Sequence, residues 1–257
     1  MKTFVRDGVR IAYEEDGTRD APIVFVHGWC CDHRYFAPQF AHFSARHRVV
    51  TLDQRGFGQS DKPQQKYTME GFADDVAALC RELGIDRAAV VGHSMGGAIA
   101  LATAARHPGL VRAVALSDPA VLFPSFVRDA MGPFVSALAT PAYKEVAAQF
   151  VEQRLFIPAD DPTRKARIVA DMCATPQHVM HSAFESLVGF DSESAARNCK
   201  APVLLIDADV GLPDRARFKE LCPQLVCAQT AGAGHFHQLE VPDQVNAMLE
   251  RFFYTNR

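Results

Sequence analysis

The sequence lacks an excess of basic residues. Its 257 residues include 27 lysines and arginines against 30 aspartates and glutamates, a formal net charge of −3. Binding to nucleic acid or to an anionic membrane surface requires clustered positive charge, and no such run occurs. We therefore expect a small-molecule substrate, with neither nucleic acid nor a membrane as partner. A homo-oligomer is compatible with the sequence but not indicated by it.

Long hydrophobic stretches are also missing, although 48% of the residues are hydrophobic. No run approaches the roughly 18 apolar residues that indicate a membrane-spanning helix. The opening residues, MKTFVRDGVRIAYEEDG, alternate apolar and polar side chains and lack the continuous apolar core of a signal peptide. These features predict a globular, cytoplasmic protein that is large enough to bury a site.

Paired cysteines are a third absence. The seven cysteines are odd in number and form no Cys-x-x-Cys pair; they occupy positions 30, 31, 80, 173, 199, 222 and 227. Cysteines scattered in this way are typical of reduced, mostly buried thiols rather than of disulfides or a zinc site. We expect neither a metal nor a cofactor.

What the sequence does contain is an alternation of strands and helices. The segment TFVRDGVRIAYEE alternates around Asp7-Gly8, which predicts a β-hairpin. Short apolar runs, expected to be strands buried on both faces, follow at 23–28, 48–53, 88–94, 111–118, 201–207 and 224–230. Helical patterns fall between them, at 67–83, 95–106, 213–221 and 241–253. This order predicts an α/β fold with a mostly parallel eight-stranded sheet, an antiparallel hairpin at one edge, and helices on both faces.

The alternation breaks between residues 122 and 200. We predict a helical cap here, inserted over one end of the sheet, so that residues 1–121 and 201–257 form the core and residues 122–200 the cap. The apolar side chains of the cap suggest an apolar substrate pocket, although ordinary packing between helices accounts for them equally well. They are Phe123, Phe126, Met131, Phe134, Phe156, Met172, Met180 and Phe184.

The stretch VVGHSMGGAIA places Ser94 where an apolar strand turns directly into a helix. Such a turn closes only if the residues two before and two after the serine have almost no side chain, and these are Gly92 and Gly96. The turn lies at the carboxyl edge of the sheet, where ligands bind in folds of this class. Ser94 is therefore the candidate nucleophile.

A serine hydroxyl needs a base beside it and a third group that orients the base. His235 is the candidate base, because it follows the last predicted strand through the glycine-rich segment AGAG and precedes the final helix. We interpret His237 as a rim or structural histidine. His93 adjoins the serine, but we expect its side chain to point to the opposite side of the turn.

Acyl transfer also requires donors for a developing oxyanion. The backbone amide of Met95 follows the nucleophile at the start of a helix, whose dipole favours negative charge. A second amide comes from the loop after the third strand, where the segment HGWC offers Trp29. Its side chain is a further candidate for the pocket wall.

Four motifs, VHGW, LDQRGFGQSD, GHSMGG and GAGHF, occur in this order along nearly the whole chain. Together they resemble the α/β-hydrolase superfamily. The resemblance implies Ser94 as nucleophile, His235 as base and the amides of Trp29 and Met95 as the oxyanion hole.

The third triad member departs from the family pattern. The acid usually follows the seventh strand, but the corresponding stretch LLIDADVGLPD has Gly211 at the usual place unless the loop is shortened, which would make Asp209 the acid. The alternative is Asp118 at the end of the sixth strand, a position that some members of the superfamily use. We favour Asp118 and keep Asp209 as the alternative.

A serine, a histidine and an acid perform two-step acyl transfer, with carboxylic esters as the expected substrates and lactones or thioesters as close relatives. The same residues leave open a carbon–carbon bond hydrolase of a ring-cleavage product. The segment GWCCDHR, with an acid after the sixth strand, also resembles cofactor-free dioxygenases of 3-hydroxy-4-quinolone heterocycles. An inert binding module is the remaining alternative.

Overall fold

The structure is a computed structural model that describes residues 1–18, 21–209, 211 and 213–256. Within these residues, eight strands form a single sheet in the order β1-β2-β4-β3-β5-β6-β7-β8. The strands are Lys2–Arg6 (β1), Val9–Asp16 (β2), Ile23–Val26 (β3), Val49–Leu52 (β4), Ala88–His93 (β5), Val111–Ser117 (β6), Val203–Asp207 (β7) and Leu225–Gln229 (β8).

The predicted hairpin lies at one edge of the sheet. Asp7 and Gly8 both have positive φ, +53° and +74°, as a two-residue hairpin turn requires. β2 pairs antiparallel with both β1 and β4, whereas the remaining neighbours pair in parallel. Parallel pairing brings the carboxyl ends of β3, β5, β6 and β7 to the same edge of the sheet.

Helices cover both faces of the sheet and fill the interval between β6 and β7. They are Ala37–Ser44 (α1), Met69–Glu82 (α2), Met95–Arg106 (α3), Ser125–Asp129 (α4), Gly132–Leu138 (α5), Tyr143–Arg154 (α6), Pro162–Cys173 (α7), Gln177–Val188 (α8), Ser192–Asn198 (α9), Arg215–Leu221 (α10), His237–Glu240 (α11) and Pro242–Thr255 (α12). A 3₁₀ turn at His33–Phe36 precedes α1.

The two faces of the sheet bury separate apolar clusters, because consecutive strand residues point to opposite sides. In β3, Val24 and Val26 pack into the cluster that also includes α2 and α3, while Ile23 and Phe25 pack with α1 and α12. The central strands are buried throughout, as predicted. The prediction of burial on both faces is wrong for β8, an edge strand on which Val226 is 55% exposed.

The helices α4 to α9 occupy the interval predicted to form the cap. They share an aromatic cluster with the loop after β3, in which the Trp29 ring lies 4.9 Å from that of Phe184 and Phe134 lies 4.3 Å from Phe150. The division into core and cap domains stays a prediction. No helix in the described part of the chain is long and apolar enough to cross a membrane.

Candidate active site

Ser94 occupies a strained turn between β5 and α3. Its φ of +53° and ψ of −119° lie in a region that non-glycine residues rarely adopt. A Cβ at Gly92 would lie 2.0 Å from the carbonyl oxygen of Gly96, and a Cβ at Gly96 would lie 2.0 Å from that of Val26. Only glycine fits at both positions. The two glycines allow the turn to close, and the Ser94 side chain projects from it.

The loop after β3 passes directly beside the serine. A Cβ at Gly28 would lie 3.2 Å from Ser94 Cβ, so the Gly28–Trp29 peptide is next to the candidate nucleophile. The carbonyl of Gly28 accepts hydrogen bonds from His27 Nδ1 at 2.8 Å and from the backbone N–H of Cys31 at 3.3 Å. Because the peptide is trans, the N–H of Trp29 points in the opposite direction.

His27 fixes the orientation of that peptide. The backbone N–H of Gln54 donates to His27 Nε2 at 3.0 Å, so the ring proton is on Nδ1, which donates to Gly28. Burial lowers the pKa of His27, and the ring stays neutral. The N–H groups of Trp29 and Met95 donate to no other described residue, which leaves both available to an oxyanion.

Asp118 and His235 form a close pair at the carboxyl edge of the sheet. His235 Nδ1 lies 2.5 Å from Asp118 Oδ2, and both side chains are buried. The backbone N–H of Ala208 donates to Asp118 Oδ1 at 3.1 Å. Burial alone would raise the pKa of Asp118, but the hydrogen bond and charge of His235 outweigh it and hold the pKa below 3.8. The carboxylate therefore stays ionised beside the imidazole.

Asp209, the alternative acid, does not reach the histidine. It lies on the exposed surface, its backbone N–H donates to the carbonyl of Ala233 at 3.1 Å, and its carboxylate makes no hydrogen bond to another described residue. Of the two candidate acids, the structure brings only Asp118 to His235. Val210 and Leu212, in the same loop, lie outside the described residues.

Ser94 and His235 line the same cavity of about 60 Å³. Among the described residues, no hydrogen bond joins Ser94 Oγ to the His235 ring. Hydrogen bonds between catalytic groups are often long without substrate and tighten in the substrate complex. The geometry thus places a hydroxyl and an imidazole around one space, with the Asp118 carboxylate in contact with the imidazole.

His93 contacts the His235 loop, which the prediction for this side chain did not include. His93 is among the residues that line the same cavity, its ring lies 4.6 Å from the His235 ring, and Nε2 donates to the carbonyl oxygen of His235 at 2.9 Å. Burial and the neighbouring His235 lower the pKa of His93 well below 6.5. Sequence periodicity gave no signal for this contact, because the turn at Ser94 redirects the chain. His237 is buried, with its ring between the hydroxyls of Ser117 and Thr230, so it does not lie at the rim.

The cavity walls are mostly apolar. Beside Ser94 the lining includes Trp29, whose indole N–H donates to the carbonyl of Met180 at 2.9 Å. A larger cavity of about 620 Å³ adjoins this space and shares His235 with it. The predicted cap residues that line one or the other are Phe123, Phe126, Met131, Phe134, Phe156, Met172 and Phe184. Phe150, which the sequence did not single out, lines both.

One group of side chains has the spacing of a cation site. Ligand atoms of Asp32, His33 and Asp53 lie within 4.8 Å of one another. However, Asp53 Oδ1 lies 2.8 Å from His33 Nδ1, and Asp32 Oδ1 accepts from the backbone N–H of Arg34 at 2.9 Å. These carboxylates already stabilise the loop that they belong to.

Comparison with known proteins identifies the family of this chain. The family described as alpha/beta hydrolase fold matches residues 21–242. The chain therefore belongs to the α/β-hydrolase family.

Several of the relatives that are similar to most of the chain are named as hydrolases. A 2-(acetamidomethylene)succinate hydrolase of Mesorhizobium japonicum is 30% identical over 83% of this chain and 81% of that protein. The enol-lactonase structure from Burkholderia xenovorans LB400 is 26% identical, has a TM-score of 0.87, and is similar over 98% of this chain and 100% of its own. AB hydrolase superfamily protein YisY of Bacillus subtilis is 42% identical, but over only 38% of this chain and 37% of that protein.

Proposed function

We propose that the protein is a serine hydrolase that cleaves a carboxylic ester or lactone of a small apolar substrate through an acyl-enzyme on Ser94. The observation that carries this proposal is the 2.5 Å contact between His235 Nδ1 and Asp118 Oδ2, because His235 also lines the cavity beside Ser94. In this proposal His235 is the general base, Asp118 the acid that orients it, and the amides of Trp29 and Met95 the oxyanion hole.

In the first step, Ser94 Oγ attacks the carbonyl carbon of the ester while His235 Nε2 takes the hydroxyl proton. Nε2 is free to do so because Asp118 accepts the hydrogen on Nδ1, which fixes the tautomer. The ionised Asp118 then stabilises the imidazolium, which donates its proton to the departing alcohol. One ester C–O bond breaks and the acyl-enzyme remains.

In the second step, water attacks the acyl-enzyme, His235 accepts the water proton and returns it to Ser94, and a carboxylic acid leaves. In both steps the carbonyl oxygen becomes an oxyanion. The N–H groups of Trp29 and Met95 are suited to stabilise it, since neither donates to another described residue. Loss of one such donor lowers kcat by roughly 10²–10³ in enzymes of this kind.

The cavities support a small substrate. About 60 Å³ beside Ser94 has room for only a few non-hydrogen atoms, whereas the adjoining cavity of about 620 Å³ accepts a larger group. One side of the scissile bond is therefore short. A lactone is a cyclic ester, and the similarity to a protein named as an enol-lactonase is consistent with this chemistry.

Turnover of p-nitrophenyl esters tests the proposal. We expect hydrolysis of the acetate and butyrate esters, little hydrolysis of the palmitate ester, and loss of at least roughly 10³-fold in kcat for Ser94→Ala. Ser136→Ala, on the exposed surface of α5, is the matched control and should retain full activity. An unchanged rate for Ser94→Ala would contradict the proposal.

The alternative reactions give different results in the same experiment. A cofactor-free dioxygenase consumes oxygen with a 3-hydroxy-4-quinolone, and its rate does not depend on Ser94 as nucleophile. A carbon–carbon bond hydrolase cleaves dienone acids far faster than p-nitrophenyl acetate. We expect neither behaviour.

A further inference from the structure

We propose that Asp160 is a positioning residue for the loop that carries His235. The His235 loop, residues 230–236, connects β8 to α11. Residues 155–161 connect α6 to α7 within the predicted cap. The proposal rests on the proposed role of His235 as the base, and it concerns how the cap holds that base in place.

The carboxylate of Asp160 joins the two segments. Asp160 Oδ1 accepts a hydrogen bond from the backbone N–H of Gly234 at 2.9 Å, and Oδ2 accepts one from the backbone N–H of Ile157 at 2.8 Å. The side chain is buried, with the residue 7% exposed, and no cation among the described residues pairs with it. Main-chain donors from two segments therefore satisfy a buried charge, and such bonds are among the stronger hydrogen bonds in proteins.

The main chain of His235 is held on both sides. Its N–H donates to the carbonyl of Leu155 at 3.1 Å, and its carbonyl accepts from His93 Nε2 at 2.9 Å. One bond reaches the cap segment and the other reaches the turn that carries Ser94. Asp160 adds a third tie at Gly234, one residue away, so the imidazole is fixed between the nucleophile and the cap.

Close packing supports the same contact. A Cβ at Gly234 would lie 2.4 Å from Asp160 Oδ2, 3.1 Å from the backbone nitrogen of Ile157 and 3.2 Å from the carbonyl oxygen of Leu155. The φ of Gly234 is not in the left-handed region, so the glycine is required here by proximity rather than by backbone conformation. The absence of a side chain at Gly234, directly before His235, therefore leaves room for the Asp160 carboxylate.

The cap segment has a separate attachment, so losing Asp160 does not release it. Arg164 forms an ion pair with Glu240 in α11, and the backbone N–H of Asp161 donates to Glu240 Oε2 at 3.3 Å. Removing the Asp160 carboxylate should loosen the His235 loop while the cap stays in place. The expected effect is on the rate of chemistry rather than on substrate binding.

The test compares Asp160→Ala and Asp160→Asn with the matched control Asp161→Ala. Asp161 is the adjacent acid, and it accepts from the backbone N–H of Arg164 at 2.8 Å, away from the His235 loop. Amide hydrogen exchange is measured across residues 230–236 in the free enzyme. Turnover is measured per active site, with sites counted by a fluorophosphonate probe.

We expect Asp160→Ala to speed amide exchange in the His235 loop by at least tenfold and to lower kcat per titrated site by roughly tenfold to a hundredfold, with KM within about twofold. Asp160→Asn keeps one carbonyl acceptor, so its loop exchange rate and its kcat per titrated site should lie between those of the wild type and those of Asp160→Ala. Asp161→Ala should leave both readouts unchanged. A purely structural role would lower the number of titrated sites but leave turnover per site intact.

Unchanged loop exchange in Asp160→Ala, or equal losses in Asp160→Ala and Asp161→Ala, would overturn the proposal. The exchange measurement does not depend on catalysis. If the wild-type enzyme cleaved no ester and the probe did not label Ser94, the proposed function would be wrong. Amide exchange in the His235 loop would still show whether Asp160 positions that loop. A substitution Gly234→Ala should impair turnover, and adding Asp160→Ala should partly restore it, because the second change removes the colliding oxygen.

Discussion

The carboxyl edge of the sheet and the helices α4 to α9, which form the predicted cap, differ in how they are built. At the sheet edge, polar side chains are fixed by strand ends, close glycine contacts and hydrogen bonds of 2.5–3.1 Å around Asp118. The cap supplies apolar rings such as Phe134, Phe150 and Phe184, which pack on one another without a fixed polar partner. The first arrangement suits chemistry, which needs fixed geometry. The second suits substrate selection, since apolar walls tolerate variation.

The largest expected effect comes from replacing Asp118, the acid of the sheet-edge site. Asp118→Asn should lower kcat for ester hydrolysis by roughly 10⁴, because the amide cannot hold His235 in the required tautomer. Asp209→Asn, the matched control, should keep kcat within about twofold. Loss of activity in the Asp209 variant alone would identify the other acid, and steady-state kinetics on both variants decides.

A stability comparison sharpens the contrast between buried sheet and exposed cap. Phe25, in β3, is fully buried, so Phe25→Ala should lower the free energy of unfolding by about 3–5 kcal/mol. Phe126, in α4, is 73% exposed, and Phe126→Ala should change the free energy of unfolding by less than about 0.5 kcal/mol. Urea denaturation measures both, and a large loss for Phe126→Ala would show that the cap buries this ring.

The sheet edge should also be sensitive to acid. Burial lowers the pKa of His237 to about 4 from an ordinary value of 6.5. Between these values the unfolded chain binds the proton more tightly, so stability is lost as the pH falls through this window, by about 3 kcal/mol for this group. His237→Gln should flatten the pH dependence by that amount, although it also removes bonds to Ser117 and Thr230. An unchanged slope in urea denaturation between pH 6.5 and 4 would contradict the burial argument.

The smallest expected effect is on substrate preference. Phe150 lines both cavities and is stacked on Phe134, so Phe150→Ala should enlarge the space beside Ser94. The ratio of kcat/KM for p-nitrophenyl octanoate over acetate should rise by roughly 10-fold to 200-fold. The rate of labelling by a small fluorophosphonate should stay within about twofold. A parallel loss of labelling would mean that this cap residue also supports the chemistry.

Much of the fold could be predicted from the sequence because its signals are local. The Asp7-Gly8 turn, the apolar runs of the central strands and the bounds of α3 are confirmed, and each rests on periodicity or turn chemistry. Among the described residues, two α-helices outside the predicted cap were missed: α1 (Ala37–Ser44) and α11 (His237–Glu240). α1 begins near a proline and has a mixed apolar pattern, and α11 is too short for a periodic signal.

The site was predictable in part, for a related reason. Glycine spacing identified the turn at Ser94 locally, and strand order indicated which loops meet at the carboxyl edge. The contacts of His93 and Asp160 with the His235 loop join residues more than 70 positions apart, and no local pattern carries that information. The roles of Ser94, His235 and Asp118 remain predictions, to which the structure adds the geometry of the His235–Asp118 pair.

Mass spectrometry of the protein treated with a fluorophosphonate probe tests the central claim most directly. The account predicts a single rapid adduct on Ser94 in the wild-type enzyme, and labelling slowed by at least roughly 10³-fold in His235→Gln, because the hydroxyl then lacks its base. An adduct on another residue, or equally rapid labelling of Ser94 without His235, would contradict the account.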